Sequence, residues 1–188
     1  GDNQINSESL NNFRSAYLEK LMLHSNKKKY VTDKMPLNFR FIGLLILAFP
    51  ESKIFHVNRD PKATCWSNYK NYFPSTGLPY THDLKDIVSY FNLYKDLMDF
   101  WKVQFSNYLY EVNYENLTQN QETEIRNIVD FLNLNWQEEC LYPENNQRSI
   151  PNGSQQQVRK KIYSGSSKEW LNFENFIGDC FNNLNFKN

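Results

Sequence analysis

Residues 52–73, SKIFHVNRDPKATCWSNYKNYF, carry a short apolar run straight into a helical pattern through Arg-Asp-Pro. This junction constrains the fold more than any other feature of the chain. SKIFHVN has the length and the β-branched and aromatic content of a strand. Asp60 is a good N-cap, and Pro61 fits the first helical position, where no backbone N–H is needed. The same alternation recurs along the chain. Leu10, Phe13, Tyr17, Leu18 and Leu21 predict a helix over 8–24, capped by Ser7 or Ser9. KKKYVTDKMP reads as a short strand stopped by Pro36, and LNFRFIGLLILAFP as a mostly buried helix ending before Pro50. A long amphipathic helix follows over 84–105, a third strand lies within YLYEVNYENL (108–117), and QNQETEIRNIVDFLNL is helical again. After a polar, irregular stretch over 136–157, SKEWLNFENFIGDCFNNL predicts a closing amphipathic helix. Strands alternating with helices of this length imply an α/β fold, a mostly parallel sheet flanked by helices on both faces. No linker or internal repeat divides it, so residues 1–188 are expected to form one domain.

Charge narrows the function. Lys+Arg and Asp+Glu are equal at 21 each, so no bulk field draws in nucleic acid or an anionic membrane. Any anion site has to be local. The longest apolar stretch, FIGLLILAF (41–49), is too short to span a bilayer, and GDNQINSESL lacks the basic start and apolar run of a signal peptide. Cys65, Cys140 and Cys180 are odd in number and lack metal-ligand spacing. They read as reduced thiols, which points to a cytoplasmic protein without a metal.

Ligands of open α/β sheets bind beyond the carboxyl ends of the strands. The three expected strands end at Lys34, Arg59 and Tyr114, which would gather along one edge. Arg59 precedes a helix N-terminus, where a guanidinium and outward-pointing N–H groups suit a phosphate or carboxylate. Ser67, eight residues on, adds a hydroxyl if the ligand lies along the helix. The competing reading is a plain ion pair for Arg59 and an ordinary helix residue at Ser67. Lys34 can stabilise negative charge on a transferred group, or simply be solvated or paired with Asp33. Tyr114 can lie against a planar base, or be a rim tyrosine. The segment 154–170 holds Arg159, Lys160, Lys161 and Lys168 among small polar residues, and reads either as a lid over a polyanion or as an exposed charged loop.

Taken together, VTDKMPLNFRFIGLLILAFPESKIFHVNRDPKATCWSNY resembles the PAPS-dependent sulfotransferases (PAPS is 3′-phosphoadenosine 5′-phosphosulfate), especially the bacterial kind often attached to tetratricopeptide repeats, and the tyrosylprotein sulfotransferases. The resemblance runs from about residue 28 to the C-terminus. It implies that Arg59 and Ser67 bind the 3′-phosphate, and that Tyr114 of YENL contacts the adenine side. It also implies that Lys34 of KMP is the catalytic lysine near the sulfuryl group. SQQQVRKK, through Ser154, Gln157 and Val158, matches a late loop that covers the phosphates. Ser154 would assist Lys34, and Arg159 and Lys160 would close over the nucleotide. The implied fold is P-loop-NTPase-like. The implied reaction is transfer of a sulfuryl group from PAPS to a hydroxyl or amine acceptor, with no metal.

Several departures from the family pattern stand beside this match. A Gly-Thr-Thr-like 5′-phosphosulfate loop and the glutamate base of the tyrosylprotein branch are both missing from the sequence. Lys161 replaces a usual proline, and Glu169 stands where a basic residue precedes the tryptophan. The expectation is therefore a sheet incomplete at its N-terminal side, whose open edge a second copy of the chain would cover, and only the 3′-phosphate and adenine half of the cofactor site. The isolated chain is expected to show little transferase activity. A non-catalytic binding or interaction domain that keeps the fold is the alternative. A nucleotide kinase is disfavoured because no glycine-rich loop ending in Lys-Ser/Thr is present.

Overall fold

The computed structural model describes residues 6–25, 28–73, 78–146 and 159–185. Helix α1 (Ser7–His24) is capped by Asn6, whose Oδ1 accepts from the Ser9 N–H at 2.8 Å. The serines expected as caps lie inside the helix, because the asparagine one residue earlier reaches the same orphan donor. After an extended run over 28–35, a 3-10 turn (Pro36–Phe41) leads into helix α2 (Ile42–Ala48). Strand β1 (Ile54–Asn58), helix α3 (Pro61–Lys70) and helix α4 (Leu84–Gln104) follow. Strand β2 (Leu109–Asn113) leads directly into helix α5 (Tyr114–Gln119), then helix α6 (Gln121–Phe131).

β1 and β2 pair in parallel, with Ile54 opposite Leu109 and Asn58 opposite Asn113. Among the described residues these two strands are the whole sheet. The strand expected to end at Lys34 is not formed. Its residues 28–35 are exposed, so no apolar face anchors them to a sheet. The Asp33 carboxylate instead accepts from the Tyr17 hydroxyl at 2.5 Å and the Asn38 amide at 3.0 Å. The closing segment also departs from expectation. In place of one amphipathic helix it forms a 3-10 stretch (Ser166–Phe173), a single α-turn α7 (Glu174–Ile177) and a second 3-10 stretch (Gly178–Asn183).

Helices pack on both faces of the sheet, as βαβ logic requires, although Val57 of β1 remains exposed. On one face Phe55 and Tyr110 pack against Phe131 of α6, with ring centroids 5.5 and 5.0 Å away. On the other lies α4, whose buried positions Leu84, Ile87, Val88, Phe91 and Met98 follow helical spacing. The two halves of α4 serve two clusters. Leu84, Ile87, Val88 and Phe91 join Ala63 and Cys65 of α3 and Trp170, Phe181 and Leu184 of the closing segment. Met98 joins Ile42 and Ile46 of α2 and Leu109 of β2. Gly43 is required where α2 crosses α4, since a Cβ there would lie 2.8 Å from the Trp101 ring. That ring is held by its indole N–H, which donates to the Phe39 carbonyl at 2.9 Å.

A polar group is built into the α4 face of the sheet. His56 Nδ1 lies 2.8 Å from Glu111 Oε1 on the neighbouring strand, and its Nε2 meets the Tyr94 hydroxyl. Lys102 also reaches Glu111, at 2.7 Å. Burial lowers the pKa of His56 below its usual value and outweighs the opposing pull of Glu111. Burial alone would raise the Glu111 carboxyl, but the bonds from Lys102 and His56 hold it below the usual range. Burial likewise pushes the Tyr94 phenol up to about 12. His56 is therefore neutral in the folded protein at pH values where the unfolded chain already binds a proton. Its contribution is complete above the unfolded pKa of about 6.5 and is lost as pH falls through the lowered folded value. Urea unfolding should show stability falling from pH 7.5 to 5.5, and His56→Gln should flatten that slope. An equal slope in the variant would exclude His56 as its source.

Candidate functional site

The site grows out of two strand ends. β1 and β2 finish side by side at Asn58 and Asn113, so the residues that follow, Arg59 and Tyr114, emerge together at the carboxyl edge of the sheet. Each strand end is locked by a local cap. Asp60 accepts from the Ala63 N–H at 2.7 Å, which starts α3 at Pro61. Asn113 accepts from the Asn116 N–H at 2.8 Å, which starts α5 at Tyr114. Both caps satisfy backbone donors that a helix start leaves open.

The half-buried Arg59 guanidinium lies over the Tyr114 ring, 4.9 Å from its centroid. Its other contacts come from the far end of the chain. Arg59 Nη2 donates to the Ser166 carbonyl at 2.9 Å, and Nε donates to Ser167 Oγ at 3.2 Å. The Tyr114 hydroxyl and Ser166 Oγ lie 2.8 Å apart. Ser167 Oγ in turn donates to Glu115 Oε1 at 2.5 Å, and that same oxygen accepts the Asp60 N–H at 3.2 Å. Gly165 makes the turn into this strap with φ +103°, a left-handed conformation that favours glycine. The strap is fastened along α3 by three further contacts. Lys62 sits over the Trp170 ring at 4.5 Å, Trp66 packs on Phe173 at 4.6 Å, and Lys70 pairs with Glu169 at 2.5 Å. Glu169, which departs from the resembled pattern, thus ties the strap to α3.

The Arg59 guanidinium meets no carboxylate directly among the described residues; Glu115 is reached through Ser167 Oγ, and the Asp60 carboxylate caps α3. Among the described residues, Arg59 forms no ion pair, since its two mapped donors go to a carbonyl and a hydroxyl. The guanidinium is therefore not quenched by direct contact, in a half-buried place where field lines are less screened than in bulk water. The first turn of α3 contributes the positive end of its dipole to the same place.

The structure thus brings Arg59 and Tyr114 into one cluster. Ser67 lies two turns further along α3 and is half-buried, with its carbonyl accepting from the Asn71 amide at 2.6 Å. Lys34 is exposed in the extended run before Pro36, and no hydrogen bond or ion pair among the described residues joins it to Arg59. Arg159 and Lys160 are exposed at the start of the strap region. Ser154, Gln157 and Val158 lie outside the described residues. Sequence reasoning missed Glu115, Ser166 and Ser167. The signal for the two serines was present in SGSS, a glycine followed by hydroxyls just before Trp170. Cys65 lies beneath this region but is buried, and burial pushes its thiol up to about 12, so it stays a protonated core residue. The described residues contain no cluster fit to hold a metal ion, and no helix among them is long and apolar enough to cross a membrane.

Comparison with known proteins gives a consistent picture. Residues 3–138 match the sequence pattern described as the sulfotransferase family. A protein of Aquifex aeolicus (strain VF5) described as an uncharacterized protein is 30% identical over 163 residues, which is 86% of this chain and 21% of that protein. Protein-tyrosine sulfotransferase A of Caenorhabditis elegans is 25% identical over 142 residues, covering 74% of this chain and 37% of the relative. The chain spans less than half the length of either relative.

Proposed function

Because the chain belongs to the sulfotransferase family, we propose that its strand-end cluster is the 3′-phosphate and adenine half of a PAPS site. The observation that carries this reading is the Arg59 guanidinium, free of ion pairs among the described residues and laid over Tyr114 at the carboxyl edge of a parallel strand pair. In this reading Arg59 receives the 3′-phosphate through its remaining N–H groups, with the Ser67 hydroxyl further along α3. Tyr114 orients the base, and Arg159 and Lys160 close over the phosphates.

The reaction would be an in-line transfer. A bond forms from sulfur to the acceptor oxygen or nitrogen, the bond from sulfur to the bridging phosphate oxygen breaks, and the acceptor proton passes to a base. 3′-Phosphoadenosine 5′-phosphate leaves with the extra negative charge. Catalysis of this kind rests on positioning and on stabilising that charge. Lys34 is assigned to the leaving oxygen, and Ser154 to its support. The chain would supply this half of the site within a longer catalytic unit, acting on a hydroxyl- or amine-bearing acceptor.

Calorimetric titration with 3′-phosphoadenosine 5′-phosphate, alongside AMP, tests the reading. Tighter binding of the 3′-phosphorylated nucleotide is expected. Equal affinity for the two would leave the family fold without this function and favour a non-catalytic interaction domain.

A further inference from the structure

Among the described residues, Arg59 reaches a carboxylate only through a hydroxyl. Glu115 Oε1 holds Ser167 Oγ at 2.5 Å, and Ser167 Oγ accepts from Arg59 Nε at 3.2 Å. The same Glu115 oxygen holds the Asp60 N–H, the backbone group next to Arg59, at 3.2 Å. One carboxylate thus fastens both flanks of the arginine, its own main chain and the strap that meets its side chain. The serine between them matters for charge. A direct Glu–Arg pair would orient the guanidinium but neutralise it, and a bound anion would then have to compete with a resident carboxylate. A bridging hydroxyl passes on the orientation by a chain of hydrogen bonds and leaves the cation available.

We infer that Glu115 is a positioning residue of the anion site, acting through Ser167 and the Asp60 N–H to aim Arg59 across Tyr114 without quenching its charge. The inference rests on the nucleotide reading for the identity of the anion, but the aiming itself is a property of the cluster. The Glu115 carboxylate is engaged with Ser167 Oγ and the Asp60 N–H, so it acts on the anion through them. What it fixes is the geometry in which the free edge of the guanidinium meets a phosphate. Each hydrogen bond to a charged group is worth enough that a misaimed arginine should lose affinity for the 3′-phosphate by about tenfold or more. AMP, which lacks that phosphate, should be little affected.

The test compares Glu115→Ala, Glu115→Gln and Ser167→Ala in two readouts, each taken well below the melting temperature of the variant. The first is the ratio of affinities for 3′-phosphoadenosine 5′-phosphate and AMP. The second is the Arg59 Nε–H resonance and its solvent exchange, which reports the aim of the side chain with no nucleotide present. Glutamine keeps an oxygen able to accept from both partners, so Glu115→Gln should hold the ratio and the protected Nε–H. Glu115→Ala and Ser167→Ala should lower the ratio about tenfold and expose the Nε–H to exchange. A structural role alone would lower the melting temperature and leave the ratio unchanged. Unchanged ratio and exchange in both alanine variants would overturn the inference. If the unaltered chain binds both nucleotides equally, the nucleotide reading fails by itself. The exchange readout then still decides, with loss in the alanine variants and retention in Glu115→Gln upholding the positioning role.

Discussion

Arg59→Ala should weaken binding of 3′-phosphoadenosine 5′-phosphate by about a hundredfold while changing AMP affinity only slightly. The size follows from the chemistry. A guanidinium offers a phosphate two parallel charge-assisted hydrogen bonds, and the loss of such contacts at about 1.5–3 kcal/mol each corresponds to one to a few orders of magnitude in affinity. Arg59→Lys should fall between the two. It restores the charge but loses the fork and the guanidinium contact with the Tyr114 ring, whose centroid lies 4.9 Å away. Calorimetry at one fixed salt concentration makes the comparison. The alanine variant also loses its bonds to Ser166 and Ser167, so a melting curve must show that it remains folded at the titration temperature. Undiminished 3′-phosphate preference in the folded alanine variant would remove Arg59 from the site.

The second large effect lies away from the ligand. Phe181 is 2% exposed and packs edge-on against Trp170, with centroids 5.6 Å apart and planes at 84°. Phe181→Ala should destabilise the protein by about 3–5 kcal/mol, through lost burial and the cavity left behind. That is a large part of the 5–15 kcal/mol typical of a domain. The effect should also reach the site. Trp170 is the buried residue of the 3-10 stretch that carries Ser166 and Ser167 to Arg59, and without Phe181 behind it the strap loses its anchor in the core. The variant should therefore lose strap protection in hydrogen exchange before α4 opens, as expected for a locally destabilised unit. A loss of stability below about 1 kcal/mol would mean that the neighbouring side chains collapse into the space.

Some elements were legible because their causes are local. Asp60 and Pro61 announced the start of α3, and the Asp60 carboxylate accepts from Ala63 as a cap should. The amphipathic pattern over 84–105 announced α4, and the structure shows that it buries Leu84, Ile87, Val88, Phe91 and Met98. The β1–α3 junction at Arg59 was readable for the same reason, whereas the Asn113 cap and the short α5 that begins at Tyr114 were not read; the sulfotransferase resemblance was legible, and the family match supports it. Other expectations failed where local preference lacked a tertiary partner. YVT has strand-forming residues, but residues 28–35 have no buried face to pair, so Lys34 follows an exposed extended run instead of a strand. The last segment has helical periodicity, yet Trp170 and Phe181 reach the core from 3-10 turns.

By itself, then, the sequence determined the β1–α3 junction, the amphipathic pattern of α4 and the arginine at the strand end, since caps, proline geometry and periodicity act within a few residues. Only the tertiary structure decided what surrounds that cation. The Arg59 bonds to Ser167 and Ser166 span 108 and 107 positions, and the Tyr114–Ser166 contact spans 52. No short-range pattern encodes a closure of that length. It exists because the core around Phe181 and Trp170 draws the end of the chain back over the strand ends, and because Glu115 stands where it can fasten what arrives.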